Sequence, residues 1–373
     1  MPLLSDQQVI QRIFTHIDEK TTDLADESWR EAIENYRSQD RLNQEIELLR
    51  KLPVPFCPAA AIPETGSFLA RSAAGTPLIV TRDEQGEVKA YRNACRHRGM
   101  QLAQGSGQTG VFVCPYHAWA YGLDGSLQHI PHDYGFPDLN KCEHSLVAVT
   151  AFERHGLVFV IQEESDNRGA LDGLDDIPQL IGDDQKIFAS EEFVSAVNWK
   201  LDMEANLEGY HIKPTHRESF YPYGFDNLNV VETFGQNSRV TFPFRRIEKL
   251  RDIPEQERNI SGLVTYVYQL FPNVIIAVLS NHTSVSISEP LSPTETRFHN
   301  FKLNNKGEGA ELSEKAKKDA DFVTETGGKE DAAMVAGIQE SLGSGANTHF
   351  SYGKFEKAII HFHKNLHKGL ANV

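Results

Sequence analysis

The chain has 373 residues, 40% of them hydrophobic and 24% charged, ordinary proportions for a globular protein and enough length for two domains with separate cores. Fifty-two acidic residues against thirty-seven basic ones leave a net charge of −15, which argues against nucleic acid as a partner, because that binding rests on neutralising phosphates. No apolar run reaches the roughly eighteen residues of a membrane span, and Met1-Pro2-Leu3-Leu4 leads into polar, acidic sequence without a signal-peptide core, so no membrane contact and a cytoplasmic setting are expected.

Residues 5 to 52 read as helical. Ser5-x-x-Gln8 has the form of a capping box, and Val9, Ile10, Ile13, Phe14 and Ile17 make an apolar stripe at helical spacing. A second helix is expected from about Asp26 to Leu52, carrying Trp29, Ile33, Leu42, Ile46 and Leu49, with Pro53 and Pro55 ending it. Both helices suit packing or subunit contact. From about 54 to 162 the pattern changes to short strands with turn punctuation, as in Thr76–Thr81, the Glu84-Gln85-Gly86 turn and the return over Val88–Tyr91. This reads as a small antiparallel β domain.

Two of its loops carry the most informative residues of the chain. Cys95-x-His97 and Cys114-x-x-His117 are separated by sixteen residues. Zinc hairpins usually pair Cys with Cys and His with His. Here each pair mixes the two ligand types, which suits two irons, one held by two thiolates and the other by two imidazoles. That is the ligand set of a Rieske 2Fe–2S centre, which passes one electron at a time; a zinc knuckle is the competing reading. Arg92, Arg96 and Arg98 crowd the same loop, either to dock an acidic electron carrier or to pair with nearby carboxylates. The other two cysteines, Cys57 and Cys142, are expected to be buried free thiols rather than a disulfide.

Beyond a polar linker at 163–168, long alternating strands (228–246 and 262–302) precede helices that run from about Ser313 to the end. The order suggests an α+β domain in which an antiparallel sheet grips a helix. Trp199 to Lys213 scans as one helix, with Leu201, Glu204, Ala205, Glu208, His211 and Ile212 on one face. Carboxylates and a His in an apolar stripe need a buried partner. Pro214 should end that helix and let His211 and His216 converge. After Gly327-Gly328, a further helix sets Asp331 on one face with Met334, Val335, Ile338 and Leu342, so a carboxylate points into the core. Two His and one carboxylate are the ligand set of non-heme Fe(II) oxygenases, although an acid at a helix N-terminus also interacts favourably with the dipole.

Taken together, Cys95-x-His97, Cys114-x-x-His117, Asn198-Trp199-Lys200, Glu208-x-x-His211-x4-His216 and the Glu330-Asp331 helix with Gln339 resemble the α subunits of the Rieske non-heme iron oxygenases, the ring-hydroxylating dioxygenases and related monooxygenases. The resemblance covers about residues 50 to 365. It implies an N-terminal helical segment (1–50), an all-β Rieske domain (51–162) and a helix-grip catalytic domain with mononuclear iron (163–373). It further implies a homotrimer, with or without a β subunit, fed by a ferredoxin or flavin reductase. In that family Cys95, His97, Cys114 and His117 would hold the cluster, and His211, His216 and Asp331 the Fe(II) that activates O2. Glu208 would bridge the cluster of one subunit to the iron of its neighbour. The substrate implied first is a small aromatic compound, as in aromatic hydrocarbon catabolism. Ring-dihydroxylating members usually have Asp where this chain has Glu208, and many relatives have Asn where it has Ala205; Glu is more common among relatives acting on small quaternary amines, so hydroxylation or demethylation of such an amine is the alternative.

The substrate pocket is expected along the sheet from Val267 to His282, with Phe271-Pro272-Asn273 and His282 as candidate contacts that could equally be core or turn residues. His361, His363 and His367 on the last helix invite a metal reading, but His361 and His363 diverge, and packing or solvated positions suit them better.

Overall fold

The computed structural model describes residues 3–305 and 314–371. Met1, Pro2 and Ser313, where the last helices were expected to begin, lie outside them. The chain divides into a smaller unit, Leu49–Asp166 with Gln179–Asp183, and a larger one, Met1–Leu48, Asn167–Pro178 and Asp184–Val373. Among the described residues no helix is long and apolar enough to cross a membrane.

The smaller unit is built on a seven-stranded antiparallel sheet in the order Val54–Pro58, Leu157–Ile161, Ala148–Arg154, Val88–Arg92, Thr76–Arg82, Ser67–Ala73, Gly105–Gln108. A three-stranded sheet, Val111–Val113, Ala120–Gly122 and Leu127–His129, carries the second ligand loop. Ile79, Tyr91, Phe112, Trp119 and Tyr121 fill the core behind the loops, together with Cys95 and Cys114. Cys57 is buried and free, and burial pushes its thiol up to about 12. Cys142, expected to be buried, is free but exposed, because Lys141–His144 forms a short surface turn capped by Asn140.

The larger unit is organised by a second seven-stranded antiparallel sheet. Its order is Ile187–Ser195, Glu295–Asn304, His282–Ser292, Val274–Val278, Val264–Leu270, Asn237–Pro243, Val230–Phe234. Five of its six adjacencies join strands consecutive in sequence, and Ile187–Ser195 returns to pair beside the last strand. The C-terminal helix Lys357–Leu370 buries Ile359, Ile360, Phe362, His363 and Leu366 and lies on the strands Val230–Phe234 and Asn237–Pro243. That is the expected gripped helix.

The N-terminal helix Asp6–Glu19 has the expected capping box between Ser5 and Gln8. Its stripe Val9, Ile10, Ile13 and Phe14 packs on Val230, Ile247 and Val264, each fully buried side chain contributing roughly 1.5–3 kcal/mol. The second expected helix is wrong in its first half. Trp29–Ala32 is a strand paired with His349–Tyr352, and helix proper runs over Glu34–Arg37 and Gln39–Lys51. The backbone bonds to a partner strand more than three hundred residues away outweigh a weak local preference.

Candidate metal centres

The two ligand loops of the smaller unit are built alike. Gly99 N–H donates to the Cys95 carbonyl and Ala118 N–H to the Cys114 carbonyl, both at turns of positive φ (79° and 56°). Each loop therefore closes four residues after its Cys and turns the intervening His back toward the other loop. His97 Nδ1 and His117 Nδ1 face each other at 3.1 Å, and Trp119 stacks on His97 with ring centroids 4.9 Å apart. Cys95 and Cys114 lie at the buried side as free thiols, with the Tyr121 hydroxyl 3.3 Å from Cys95 Sγ. Burial pushes the Cys95 thiol up, reinforced by the adjacent Cys114. Burial likewise lowers the pKa of His97, helped by His117 and Arg98. The two imidazoles aim the same ring atom into one gap, where a single proton could bridge them or both nitrogens could turn their lone pairs to a cation. A cation on that side and thiolates on the other fit the set. Arg96 and Arg98 are exposed beside it and form no ion pair among the described residues; Arg98 lies over the Tyr116 ring instead.

In the larger unit, the expected single helix over 199–213 is two. Trp199–Ala205 ends at Asn206, and Ile212–Thr215 begins a new turn with His211 at its N-cap. Gly209 is forced by packing: a Cβ there would stand 2.2 Å from the Asn229 side-chain oxygen. Pro214, expected as a terminator, sits inside the first turn of the second helix, where its missing N–H costs nothing. His216 follows at the C-cap. The expected convergence of the two imidazoles is present, through the break at 206–211 as well as the proline.

His211, His216 and Asp331 each bring a ligand atom within 4.8 Å of the others. Asp331 Oδ1 is 2.9 Å from His216 Nε2 and 3.6 Å from His211 Nε2. His216 Nε2 is nevertheless out of line for a hydrogen bond and remains a buried atom without a hydrogen-bond partner. The opposite ring atoms are engaged: His211 Nδ1 with Glu208, and His216 Nδ1 with Glu330 at 2.7 Å. A proton on each Nδ1 leaves each Nε2 lone pair free for a metal. Burial disfavours the His216 cation, but the carboxylates of Asp331 and Glu330 outweigh it and raise its pKa. Three unsaturated donors on one face with an orphaned buried nitrogen fit a divalent iron and leave positions open.

Asp331 enters from the helix Gly327–Ser341, whose start abuts Phe220; a Cβ on Gly327 would fall 2.0 Å from that ring. The helix is less buried than its stripe suggests. Val335 and Leu342 are in the core, but Met334 and Ile338 are 53% and 41% exposed, and Asp331 itself is part-exposed. Gln339 accepts from Asn198 N–H at 2.8 Å and so ties this helix to the start of the other.

Beside the triad lies a cavity of about 990 Å³. Val267, Ile275, Ala277 and His282 line it from the sheet, as expected, and Phe220, Tyr223, Phe242 and Phe298 add aromatic walls. Phe271 and Asn273 do not reach it: Phe271 is fully buried against Phe362, and Asn273 donates to the Ser288 carbonyl. Of the late histidines, His363 is buried against Glu204 and Tyr36, and His367 pairs with Glu31 at 2.9 Å, which are packing roles.

Sequence reading missed two carboxylates. Glu330 was visible only as the neighbour of Asp331. Asp202, which lines the cavity, could have been found from its spacing, since Asp202, Ala205, Asn206 and Gly209 share one helical face. Burial and the charge of Asp331 raise the Asp202 carboxyl to about 7.

Residues 53–153 match the family described as Rieske 2Fe–2S domain, and residues 183–371, half of the chain, match ring hydroxylating alpha subunit (catalytic domain). The chain belongs to the ring-hydroxylating α subunits. Among curated members, it is 37% identical over 163 residues to the glycine betaine monooxygenase oxygenase subunit of Chromohalobacter salexigens, covering 42% of this chain and 36% of that one. The match thus spans about a third of that relative's length. Identity to the carnitine monooxygenase oxygenase subunit of Escherichia coli (strain K12) is 25% over 368 residues, 91% of this chain and 93% of the relative. The crystal structure of a quaternary ammonium Rieske monooxygenase in complex with L-carnitine superposes with a TM-score of 0.76 at 21% identity, covering 98% and 99% of the two chains, which shows that this α subunit shares its fold.

Proposed function

We propose that this α subunit is the terminal oxygenase of a Rieske system acting on a small quaternary or tertiary amine. The observation that carries the oxygenase reading is the convergence of His211 Nε2, His216 Nε2 and Asp331 Oδ1 beside an aromatic-walled cavity. The aromatic substrate implied first by the resemblance gives way to its alternative. Relatives named for glycine betaine and carnitine support the amine, as does Glu208 at the bridging position, and aromatic walls attract an ammonium through their π faces.

In this reading Cys95, His97, Cys114 and His117 hold a 2Fe–2S cluster, and His211, His216 and Asp331 hold an Fe(II). When bound, the two centres supply single electrons and O2 activation, respectively. The chain's own residues fix the geometry. Glu208 and Glu330 hold the Nδ1 protons of His211 and His216 and so aim both Nε2 atoms. The apolar walls exclude water and orient the substrate. Glu208 also serves as the proposed link to the cluster of a neighbouring subunit in a homotrimer, and a ferredoxin or flavin reductase is the proposed donor. The exposed Arg96 and Arg98 suit an acidic carrier of that kind.

Metal and sulfide analysis of the purified protein should give about three irons and two labile sulfides per chain. With a reductase supplied, O2 uptake should rise with trimethylammonium compounds and not with benzoate-type acids, and labelled O2 should enter the product. Zinc without sulfide would overturn the oxygenase reading, and uptake driven by aromatics alone would overturn the amine.

A further inference from the structure

Asp202 sits on the helix Trp199–Ala205, on the face it shares with Ala205, and both line the cavity beside the proposed iron ligands together with Asn206 and Gly209 just beyond the helix. Its carboxylate forms no hydrogen bond or ion pair among the described residues; the Asn206 side chain donates to its backbone carbonyl instead. The charges that could have neutralised it are committed elsewhere. Lys200 turns to the opposite side of the helix, where its Nζ meets both oxygens of Glu45 at 2.9 Å, fully buried. Asn198 already caps the helix start by accepting from Lys200 N–H. The cavity it lines has Phe220, Phe298 and Val335 among its apolar walls, and the cations of the same lining are engaged by other groups: Lys302 with Thr324, Lys329 with Glu325, Arg246 with the Gly262 carbonyl, and Arg245 over the Tyr221 and Phe225 rings. A carboxylate in such surroundings is costly to ionise without a counter-charge, and the charge of Asp331 adds to that cost, which is why its pKa is raised.

The group is therefore left without a counter-charge by the protein and lines the cavity beside the triad. We infer that Asp202 is the counter-ion for the cationic nitrogen of the substrate, a trimethylammonium or protonated amine whose methyl groups rest on the aromatic wall. This rests on the amine reading above and deepens it, because it assigns the charge recognition to one side chain. The ammonium supplies the missing positive partner, and the carboxylate in turn favours a cation over a neutral molecule of the same shape. Ala205, one turn along the same face, leaves room for the bulky head group, where a longer side chain would fill it.

The test compares choline with 3,3-dimethylbutan-1-ol, its neutral carbon isostere. Dissociation constants are measured calorimetrically on the metal-loaded protein without O2 or reductant, so that no turnover enters the readout. Wild type should bind choline at least about tenfold more tightly than the isostere. Asp202→Asn should remove most of that preference while the isostere binds unchanged, and Asp202→Glu should restore part of it. Asp202→Ser gives the same comparison if the Asn variant does not fold. A cation preference that survives in Asp202→Asn would overturn the assignment and leave the amine reading standing. Equal binding of the two probes by wild type would overturn both.

Discussion

The Glu330 carboxylate lies 2.7 Å from His216 Nδ1 and also accepts the Ser219 hydroxyl, so it holds the imidazole whose other nitrogen faces Asp331 at 2.9 Å. One helix therefore supplies, from adjacent positions, both a metal-facing carboxylate and the group that orients a metal-facing ring. Replacing Glu330 by Gln keeps the size but weakens the hold on the Nδ1 proton. Iron affinity of the mononuclear site should drop by about 10–100-fold, while the visible spectrum of the 2Fe–2S cluster stays as in wild type. Competition with a chelator during iron titration measures the first, and an unchanged affinity would remove Glu330 from the site.

Removing one of the proposed ligands should act more sharply. Asp331→Ala leaves two imidazoles, too few to hold Fe(II) against water. The variant should fold, retain two irons and two sulfides per chain in its cluster loops, and lose the third iron together with all O2 uptake. A variant that kept full iron would show that another carboxylate takes its place.

These centres were legible in the sequence to very different degrees. Cys95, His97, Cys114 and His117 stood out because their residue types recur at close spacing, and the structure brings the two loops together. His211 and His216 needed the proline between them, and the break at 206–211 that also brings them together was hidden, because it depends on Asn229 crowding Gly209. Asp331 was read from the stripe at helical spacing that follows Gly327-Gly328. Its helix looked like a buried stripe, yet Met334 and Ile338 face outward, since periodicity alone does not say how wide the covered face is. The strand Trp29–Ala32 escaped because its partner, His349–Tyr352, is at the other end of the chain.

The same packing logic makes Gly327 sensitive. A Cβ there would fall 2.0 Å from the Phe220 ring, whose centroid in turn lies 4.7 Å from that of His216. Gly327→Ala must push Phe220 or the helix away, costing about 1–3 kcal/mol and displacing Asp331 relative to His216. Both the melting temperature and the iron content should fall; a normal iron content would mean that Phe220 swings aside freely.

Deep in the larger unit, Lys200 and Glu45 form an ion pair with both side chains 1% exposed, and Trp199 Nε1 donates to the same carboxylate. Lys200→Met leaves Glu45 without its full counter-charge, with Arg41 as the remaining cation at 2.9 Å. Breaking one partner of a buried pair costs about 3–5 kcal/mol. The double variant Lys200→Met/Glu45→Leu should recover much of that loss, as denaturant titration would show, whereas equal damage in both would mean the polar network as a whole is required.

Glu31 gives the pH dependence. Burial opposes its ionisation, but hydrogen bonds from His367, Trp29 and Asn35 and the charge of His363 outweigh this and bring its pKa down to about 2. An unfolded Glu titrates near about 4.3, so between those values the unfolded state binds the extra proton and stability rises with pH. The contribution of Glu31 is complete above about pH 5 and disappears as the pH falls through about 2. The stability gap between wild type and Glu31→Gln should therefore narrow steadily below about pH 4. Urea titrations of both proteins across that range decide it, and a gap that stayed constant down to about pH 2.5 would mean that the Glu31 carboxylate gains nothing from its ionised state in the fold.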